Sequence, residues 1–163
     1  MNPSLQSLFS QSEGRYFSQE EARTLTDFAS GMDARLSAMH AVDAHEDAIV
    51  RETIDAVWAQ HPDFETRHAD ARARGERDVR LVLRYCTQAM VRQDMTFLEE
   101  HLLYWLRTIL QAFRMGPVID TTYRLLPQRV EAHLSADQVR LLAPYLRRTH
   151  ELLTLQRDGG GAR

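Results

Sequence analysis

The sequence predicts an all-α fold, and three observations lead to that prediction. Apolar residues recur along most of the chain at the three- and four-residue spacing of a helix face. No stretch shows the period-two alternation that indicates a strand. Two capping boxes, Ser18 with Glu21 and Ser135 with Gln138, mark helix starts in the two halves of the chain. Periodicity alone leaves two architectures open: a globin-like arrangement with steep helix crossings, and a bundle.

The first helices are predicted from their caps and from helix-ending residues. Ser18 and Glu21 begin a helix that ends near Ser30 and Gly31. Residues 33–64 follow with apolar positions at mostly helical spacing, and His61-Pro62 ends this long amphipathic helix. Short helical segments are expected before it.

Two further amphipathic helices are predicted in the middle of the chain, over residues 77–91 and 96–116. In the first, Val79, Val82, Leu83, Cys86, Ala89 and Met90 form one apolar face. The second has Leu98, Leu102, Leu106, Ile109 and Phe113 in similar spacing, and Gly116 closes it before a proline. Both helices therefore have a face to bury in a common core.

The C-terminal part predicts two more helices, over residues 117–135 and 135–156. Pro127 and Pro144 lie inside them and are expected to kink them. The final stretch, "RDGGGAR", is of low complexity. We therefore predict one domain over residues 1–155 and a disordered tail over residues 156–163.

Composition and charge narrow the class of protein. The 163 residues are enough for one domain with its own core, and the formal charge of −3 gives no field that favours nucleic acid or an anionic membrane. All 20 basic residues are Arg, which is typical of a GC-rich bacterial genome. No apolar run is long enough to cross a membrane, and no export signal is visible. With a single cysteine, Cys86, no internal disulfide forms. We expect a cytoplasmic protein with no membrane or nucleic-acid partner.

Signatures of catalysis are missing from the sequence. It has no GxSxG motif, no glycine-rich phosphate loop and no HExxH motif, and no metal-ligand spacing, so we predict a protein that is not an enzyme. Cys86 lies on an apolar helix face and is predicted to be a small buried hydrophobe. Seven histidines leave haem as an alternative ligand, with His68 and His101 as the pair to test first, although a lone helical His is more often a surface or packed residue.

Arg77 and Asp78 lie side by side where a helix enters its apolar face. One interpretation is a first-turn acid that interacts favourably with the helix dipole, beside a solvated Arg. The other is a ligand site, in which the carboxylate accepts hydrogen bonds from pyrrole-type N–H groups while the guanidinium pairs with a propionate. Composition does not choose between them.

The order of several motifs resembles the phycobiliproteins, the globin-like subunits of phycobilisomes. The segment "RDVRLVLRYCTQAMVRQDMTFL" is similar to their Arg-Asp-x-x-x-x-Leu-Arg-Tyr helix followed by Gly-Asp-x-x-x-Leu. Upstream, "GRYFSQEEARTLTDFASGM" is similar to their Arg-Tyr-x-Ser opening and Ala-Ser-Gly break, and the likeness extends from about residue 14 to about residue 153. The resemblance implies a globin-like phycobiliprotein fold, with a helical hairpin over about residues 1–30 that is used for assembly.

Three departures from the family pattern concern the chromophore site. Light-harvesting members attach bilin through a Cys two residues before the Arg-Asp pair, and Gly75 occupies that position here. The family's Gly-Gly-Asn-x-Tyr loop is replaced by "ETRHADARAR". Trp105 stands where the family has a small residue, and an indole pointing inward would fill part of the chromophore cavity. Cys86, on the core face, cannot replace the missing thiol.

The resemblance implies a function without covalent pigment. We expect a protein like the bilin biosynthesis-associated globins, binding bilin noncovalently through Arg77, Asp78 and Trp105, or docking to enzymes of bilin synthesis. The alternatives are a phycobilisome-type assembly protein without ligand, and a haem-binding globin or sensor.

The resemblance also implies a subunit contact. Tyr16 and Arg84 match family positions at this contact, and their neighbours Phe17 and Tyr85 are assigned to it with them. We expect a homodimer, or a heterodimer with a related subunit, that buries Leu5, Leu8, Phe9 and Phe17.

Overall fold

Helices build the whole of the part that the computed structural model describes, residues 3–63, 70–113 and 115–155, and no strand occurs in these ranges. The elements in chain order are α1 (Pro3–Gln11), α2 (Gln19–Ser30), α3 (Met32–Gln60), α4 (Ala71–Arg92), α5 (Met95–Leu98), the π-helical segment π1 (Glu99–Leu103), α6 (Tyr104–Ala112), α7 (Gly116–His133) and α8 (Ala136–Thr154). The all-α prediction is confirmed. The predicted tail, residues 156–163, lies outside the described residues.

Both predicted capping boxes form. At the start of α2, the Ser18 hydroxyl accepts the Glu21 N–H at 3.2 Å, and the Glu21 carboxylate accepts the Ser18 N–H at 2.7 Å. Ser135 and Gln138 make the same reciprocal pair at the start of α8. These bonds satisfy backbone donors that have no partner inside the helix, so each start is specified locally.

A left-handed residue separates α4 from α5. Gln93 has φ 52° and ψ 46°, and its N–H bonds back to the carbonyls of the last turn of α4. The next residue, Asp94, is buried, and its carboxylate accepts the Phe97 N–H at 2.9 Å. The chain therefore reverses through a helix stop followed directly by an N-cap.

The core lies between the long helices. α3 packs against α4 and α7, and α8 packs against the same two helices. The apolar face predicted for α4 is buried together with Leu98, Leu102 and Leu106 of the following predicted helix. This burial of apolar surface is the main term that holds the helices together. Phe113, predicted on the same face as these leucines, is 60% exposed because it lies beyond the end of α6.

Arg35 joins the N-terminal helices to this core. Its side chain is 3% exposed, and its guanidinium donates to the carbonyls of Phe28 at 2.6 Å and Val91 at 3.1 Å. Those carbonyls belong to the last turns of α2 and α4, where carbonyls have no partner in their own helix. One buried cation therefore fixes the C-terminal ends of two helices, and desolvation lowers its pKa.

Candidate functional site

A cavity of about 300 Å³ lies beside the N-terminal half of α4. Its walls come from α3, α4, α6 and α7, and most of its lining is apolar, including Ile54, Trp58, Val79, Leu110, Val118 and Ile119. The polar part of the lining includes Arg74, Arg77, Asp78, Thr122 and Tyr123. This combination of an apolar body with a few polar groups is typical of a small-molecule site.

Arg77 and Asp78 form an ion pair at this cavity. The Asp78 Oδ1 atom lies 3.1 Å from Nε and 3.0 Å from Nη2 of Arg77. The Arg77 side chain is 72% exposed and the Asp78 side chain 26% exposed. Because α4 begins at Ala71, Asp78 lies in the second turn rather than at the helix terminus, where the dipole effect is strongest. Asp78 therefore does not occupy the first-turn position that the helix-dipole interpretation assumed.

Gly75 also lines the cavity, one turn before the ion pair. A Cβ atom built at this position would lie 3.2 Å from Cδ1 of Ile54, which is the flexible end of a side chain. No thiol is offered to the cavity at this position.

Trp105 is not brought to the cavity. Its side chain is 57% exposed, and it is not part of the cavity lining. On α6 the cavity is lined by Ile109 and by Phe113 beyond the helix end, four and eight residues later on the same face. Trp105 lies one helical turn, about 6 Å, before Ile109 along the helix axis. Its indole therefore does not fill part of the cavity.

Cys86 is fully buried, as the sequence predicts. Its Sγ lies 3.3 Å from Oγ1 of Thr149, and burial raises the pKa of the thiol to about 12. At neutral pH the thiolate, which is the nucleophile, is essentially unpopulated. Cys86 is therefore a core residue without reactivity toward a ligand in the cavity.

The histidines named for haem do not meet at the cavity. His101 is exposed, its ring lies 5.0 Å from that of Phe97, and it is not part of the cavity lining. His68 lies outside the described residues. Among the residues that the structure describes, no group of three or more His, Cys, Asp or Glu is placed to hold a metal ion.

The residues assigned to the subunit contact fall into two groups. Tyr16 is 97% exposed, and Phe17 and Phe9 are 43% and 47% exposed with their rings 5.9 Å apart, edge to face. Leu5 and Leu8 are buried within the single chain, so the expectation that a partner buries them is wrong. The side chains of Phe9, Tyr16 and Phe17 remain exposed in the single chain.

Arg84 and Tyr85 make contacts inside the chain. Arg84 donates through Nε and Nη2 to the two carboxylate oxygens of Glu46, each at 2.7 Å. Arg80 binds the same carboxylate at 2.6 Å, and together they hold the pKa of Glu46 below its usual value. Tyr85 is stacked on Phe97 with ring centroids 5.6 Å apart. Both residues therefore have partners within the chain, while the Arg84 side chain remains 58% exposed and its place in a subunit contact stays a prediction.

Tyr123 is a cavity residue that sequence reasoning missed. It is 3% exposed on α7, and burial, with a smaller contribution from the Asp78 carboxylate, raises its pKa above the usual range. The signal was present in the spacing of Val118, Ile119, Thr122 and Tyr123, which puts them on one face of a helix. Only the fold shows that this face of α7 lines the same cavity as the Arg77-Asp78 pair.

Comparison with protein families identifies the family of the chain. A family model described as "Phycobilisome protein" matches residues 10–153, which is most of the chain. No curated protein matches the sequence. Within the described residues, no helix is both long enough and apolar enough to cross a membrane.

Proposed function

The chain belongs to the phycobilisome protein family, and we propose that within it this protein holds a linear tetrapyrrole noncovalently and takes part in bilin metabolism without being an enzyme. The family match suggests a bilin-related role, and the family is generally light-harvesting or structural rather than catalytic. Its phycobiliproteins carry bilin chromophores. In the proposed role the protein binds bilin in the cytoplasm, and docking to the enzymes that make bilin is the alternative.

The observation that carries the proposal is the Arg77-Asp78 pair at the mouth of an apolar cavity. A bilin presents pyrrole N–H donors along a conjugated apolar backbone and two propionates on its edge. The Asp78 carboxylate suits the N–H groups, because hydrogen bonds to an ionised acceptor are about twice as strong as neutral ones. The exposed guanidinium of Arg77 suits a propionate, and apolar side chains such as Ile54 and Val118 suit the ring faces.

The lining also supports noncovalent rather than covalent binding. Gly75 takes the place of the attachment cysteine, and Cys86 is buried with a pKa of about 12. Thioether formation needs a thiolate within reach of the bilin side chain, and neither position provides one. The pigment in this proposal therefore exchanges with solution.

Titration of the protein with biliverdin and with phycocyanobilin tests the proposal. We expect a red-shifted and intensified absorption band, and weaker binding by Asp78→Asn. Asp137→Asn is a matched control, because Asp137 is an exposed helical Asp paired with Arg140 on α8, away from the cavity lining. No spectral change with either pigment, or equal losses in both variants, would refute the proposed site.

A ligand-free assembly role is the second candidate function, and the exposed aromatic residues near the N-terminus favour it. Members of this family typically form oligomers with related subunits. Tyr16, Phe17 and Phe9 present aromatic surface, and aromatic residues are enriched in subunit interfaces. We propose that they bind a second copy or a related subunit. Sedimentation at micromolar concentration should show a dimer that Tyr16→Ser with Phe17→Ser dissociates, and a monomeric wild type contradicts this assignment.

A further inference from the structure

Tyr123 stands between the cavity and a second depression of the surface. Its buried side chain lines the cavity beside Asp78. It also lines a groove of about 300 Å³ between α7 and α8. Of the residues that the structure describes, Tyr123 is the one that lines both spaces. Tyr123 therefore lies between the two spaces.

The groove on the other side of Tyr123 is suited to an acidic group on an apolar body. Arg124, Arg147 and His150 lie along it with Glu131, and Leu146 is among its apolar residues. Arg124 and Arg147 are exposed. Arg124 donates a long hydrogen bond of 3.4 Å to Oε1 of Gln60, and His150 lies 2.8 Å from Oδ1 of Asp120. Guanidinium groups bind carboxylates with two parallel hydrogen bonds, which is the chemistry of a propionate site.

The cavity is small, so the position of Tyr123 limits the length of ligand that the cavity can hold. A volume of about 300 Å³ is at the lower limit of small-molecule sites, which extend from about 300 to 1,000 Å³. Two linked pyrrole rings suit such a volume better than four. A longer ligand meets the Tyr123 ring at the inner end, and Phe113, 60% exposed, lies at the outer side of the lining.

We propose that Tyr123 is the specificity-determining wall of the site: it stops a linear tetrapyrrole from entering over its full length and separates it from the basic groove. This inference rests on the proposed function, since it concerns the length of the bilin that the cavity admits. The inner pyrrole rings bind beside Asp78, and the outer rings stay at the mouth near Phe113.

The test compares two ligands and two substitutions. Phycocyanobilin is the four-ring ligand, and xanthobilirubic acid is a two-ring ligand with one carboxylate. Tyr123→Leu removes the wall, and Tyr123→Phe keeps the ring while removing the hydroxyl. We expect Tyr123→Leu to bind phycocyanobilin roughly tenfold more tightly with little change for xanthobilirubic acid, because an additional ring becomes buried. Tyr123→Phe should match the wild type with both ligands.

Several results overturn the inference. One is an unchanged affinity of Tyr123→Leu for phycocyanobilin. Another is an equal gain in affinity for both ligands. The third is a Tyr123→Phe variant that binds phycocyanobilin as tightly as Tyr123→Leu does. If Tyr123→Leu does not fold by circular dichroism, Tyr123→Met replaces it, since Met fills irregular space in cores with little loss of packing.

A ligand-free measurement separates this inference from the proposed function. Trp58 lines the cavity and is 8% exposed, and Trp105→Phe leaves it as the single tryptophan of the chain. In that background, Tyr123→Leu should increase acrylamide quenching of Trp58, because the groove then opens into the cavity, and Tyr123→Phe should not. If the wild type binds neither pigment, the proposed function fails, and equal quenching in the two variants refutes the wall.

Discussion

Replacing Glu46 by Gln should destabilise the protein by about 2 kcal/mol. The Glu46 side chain is 10% exposed and accepts three hydrogen bonds of 2.6 to 2.7 Å from Arg80 and Arg84, which tie α3 to α4. Breaking a fully buried ion pair costs about 3–5 kcal/mol and breaking an exposed one about 0–1 kcal/mol. The side chains of Arg80 and Arg84 are 31% and 58% exposed, so water partly screens their charges. The expected loss of stability therefore lies between these two limits.

Asp47→Asn is the matched control for this substitution. Asp47 binds the same Nη1 atom of Arg80 at the same distance, 2.6 Å, but its side chain is 86% exposed. Its loss should change the free energy of unfolding by less than about 0.5 kcal/mol, because an exposed pair is screened. Urea unfolding of the two variants at pH 7, followed by circular dichroism, compares a buried carboxylate held by two arginines with an exposed carboxylate held by one of them.

The effect of Glu46→Gln should also depend on pH. The arginines lower the pKa of Glu46 from its ordinary value of 4.5, with Arg84 as the largest contributor. A carboxylate whose pKa is lowered by folding stabilises the protein fully above its unfolded pKa, and loses that contribution as the pH falls through the folded pKa. The difference in the free energy of unfolding between wild type and Glu46→Gln should therefore be largest at pH 7 and decrease below pH 4.5. A difference in stability that does not change with pH would contradict this explanation, and so would equal losses of stability in Glu46→Gln and Asp47→Asn.

Three further changes test other parts of the structure. Arg35→Met should lower the free energy of unfolding by about 3 kcal/mol in urea, because two charge-assisted bonds to helix carbonyls are lost, whereas Arg140→Met at an exposed site should have little effect. Gln93→Gly should raise the melting temperature through a gain of about 0.5–1 kcal/mol, because glycine adopts a φ of 52° without the steric cost that Gln has; an unchanged or lower melting temperature contradicts this. Cys86 should react with Ellman's reagent at pH 8 only after denaturation, and fast labelling of the native protein refutes its burial.

Local signals in the sequence predicted the helices well. The capping boxes at Ser18 and Ser135 specify two helix starts through bonds that span three residues. The burial of Cys86 follows from its place on an apolar face, which needs only the 3.6-residue period. Such features can be predicted from the sequence because the residues that interact are close in the chain.

Features that depend on distant partners were predicted less well. Glu46 and Arg84 are 38 positions apart, and nothing in the local pattern of either residue indicates their contact. Trp105 was expected in the cavity, but its place along α6 keeps it one turn away. Tyr123 was missed for the same reason, since its role depends on which helix its face meets. The Arg77-Asp78 pair was noted from its place at the start of an apolar helix face, because the two residues are adjacent in the chain and their contact is local.

Protection of an introduced thiol tests the central claim, that bilin occupies this cavity, most directly. In Gly75→Cys the new side chain faces the cavity, with the Cδ1 atom of Ile54 free to shift, while Cys86 stays buried and unreactive. The rate of alkylation by iodoacetamide is measured with and without saturating phycocyanobilin. The account predicts that phycocyanobilin blocks alkylation of the introduced thiol, by shielding it or by adding to it. An alkylation rate that bound pigment leaves unchanged would place the bilin elsewhere and contradict the account.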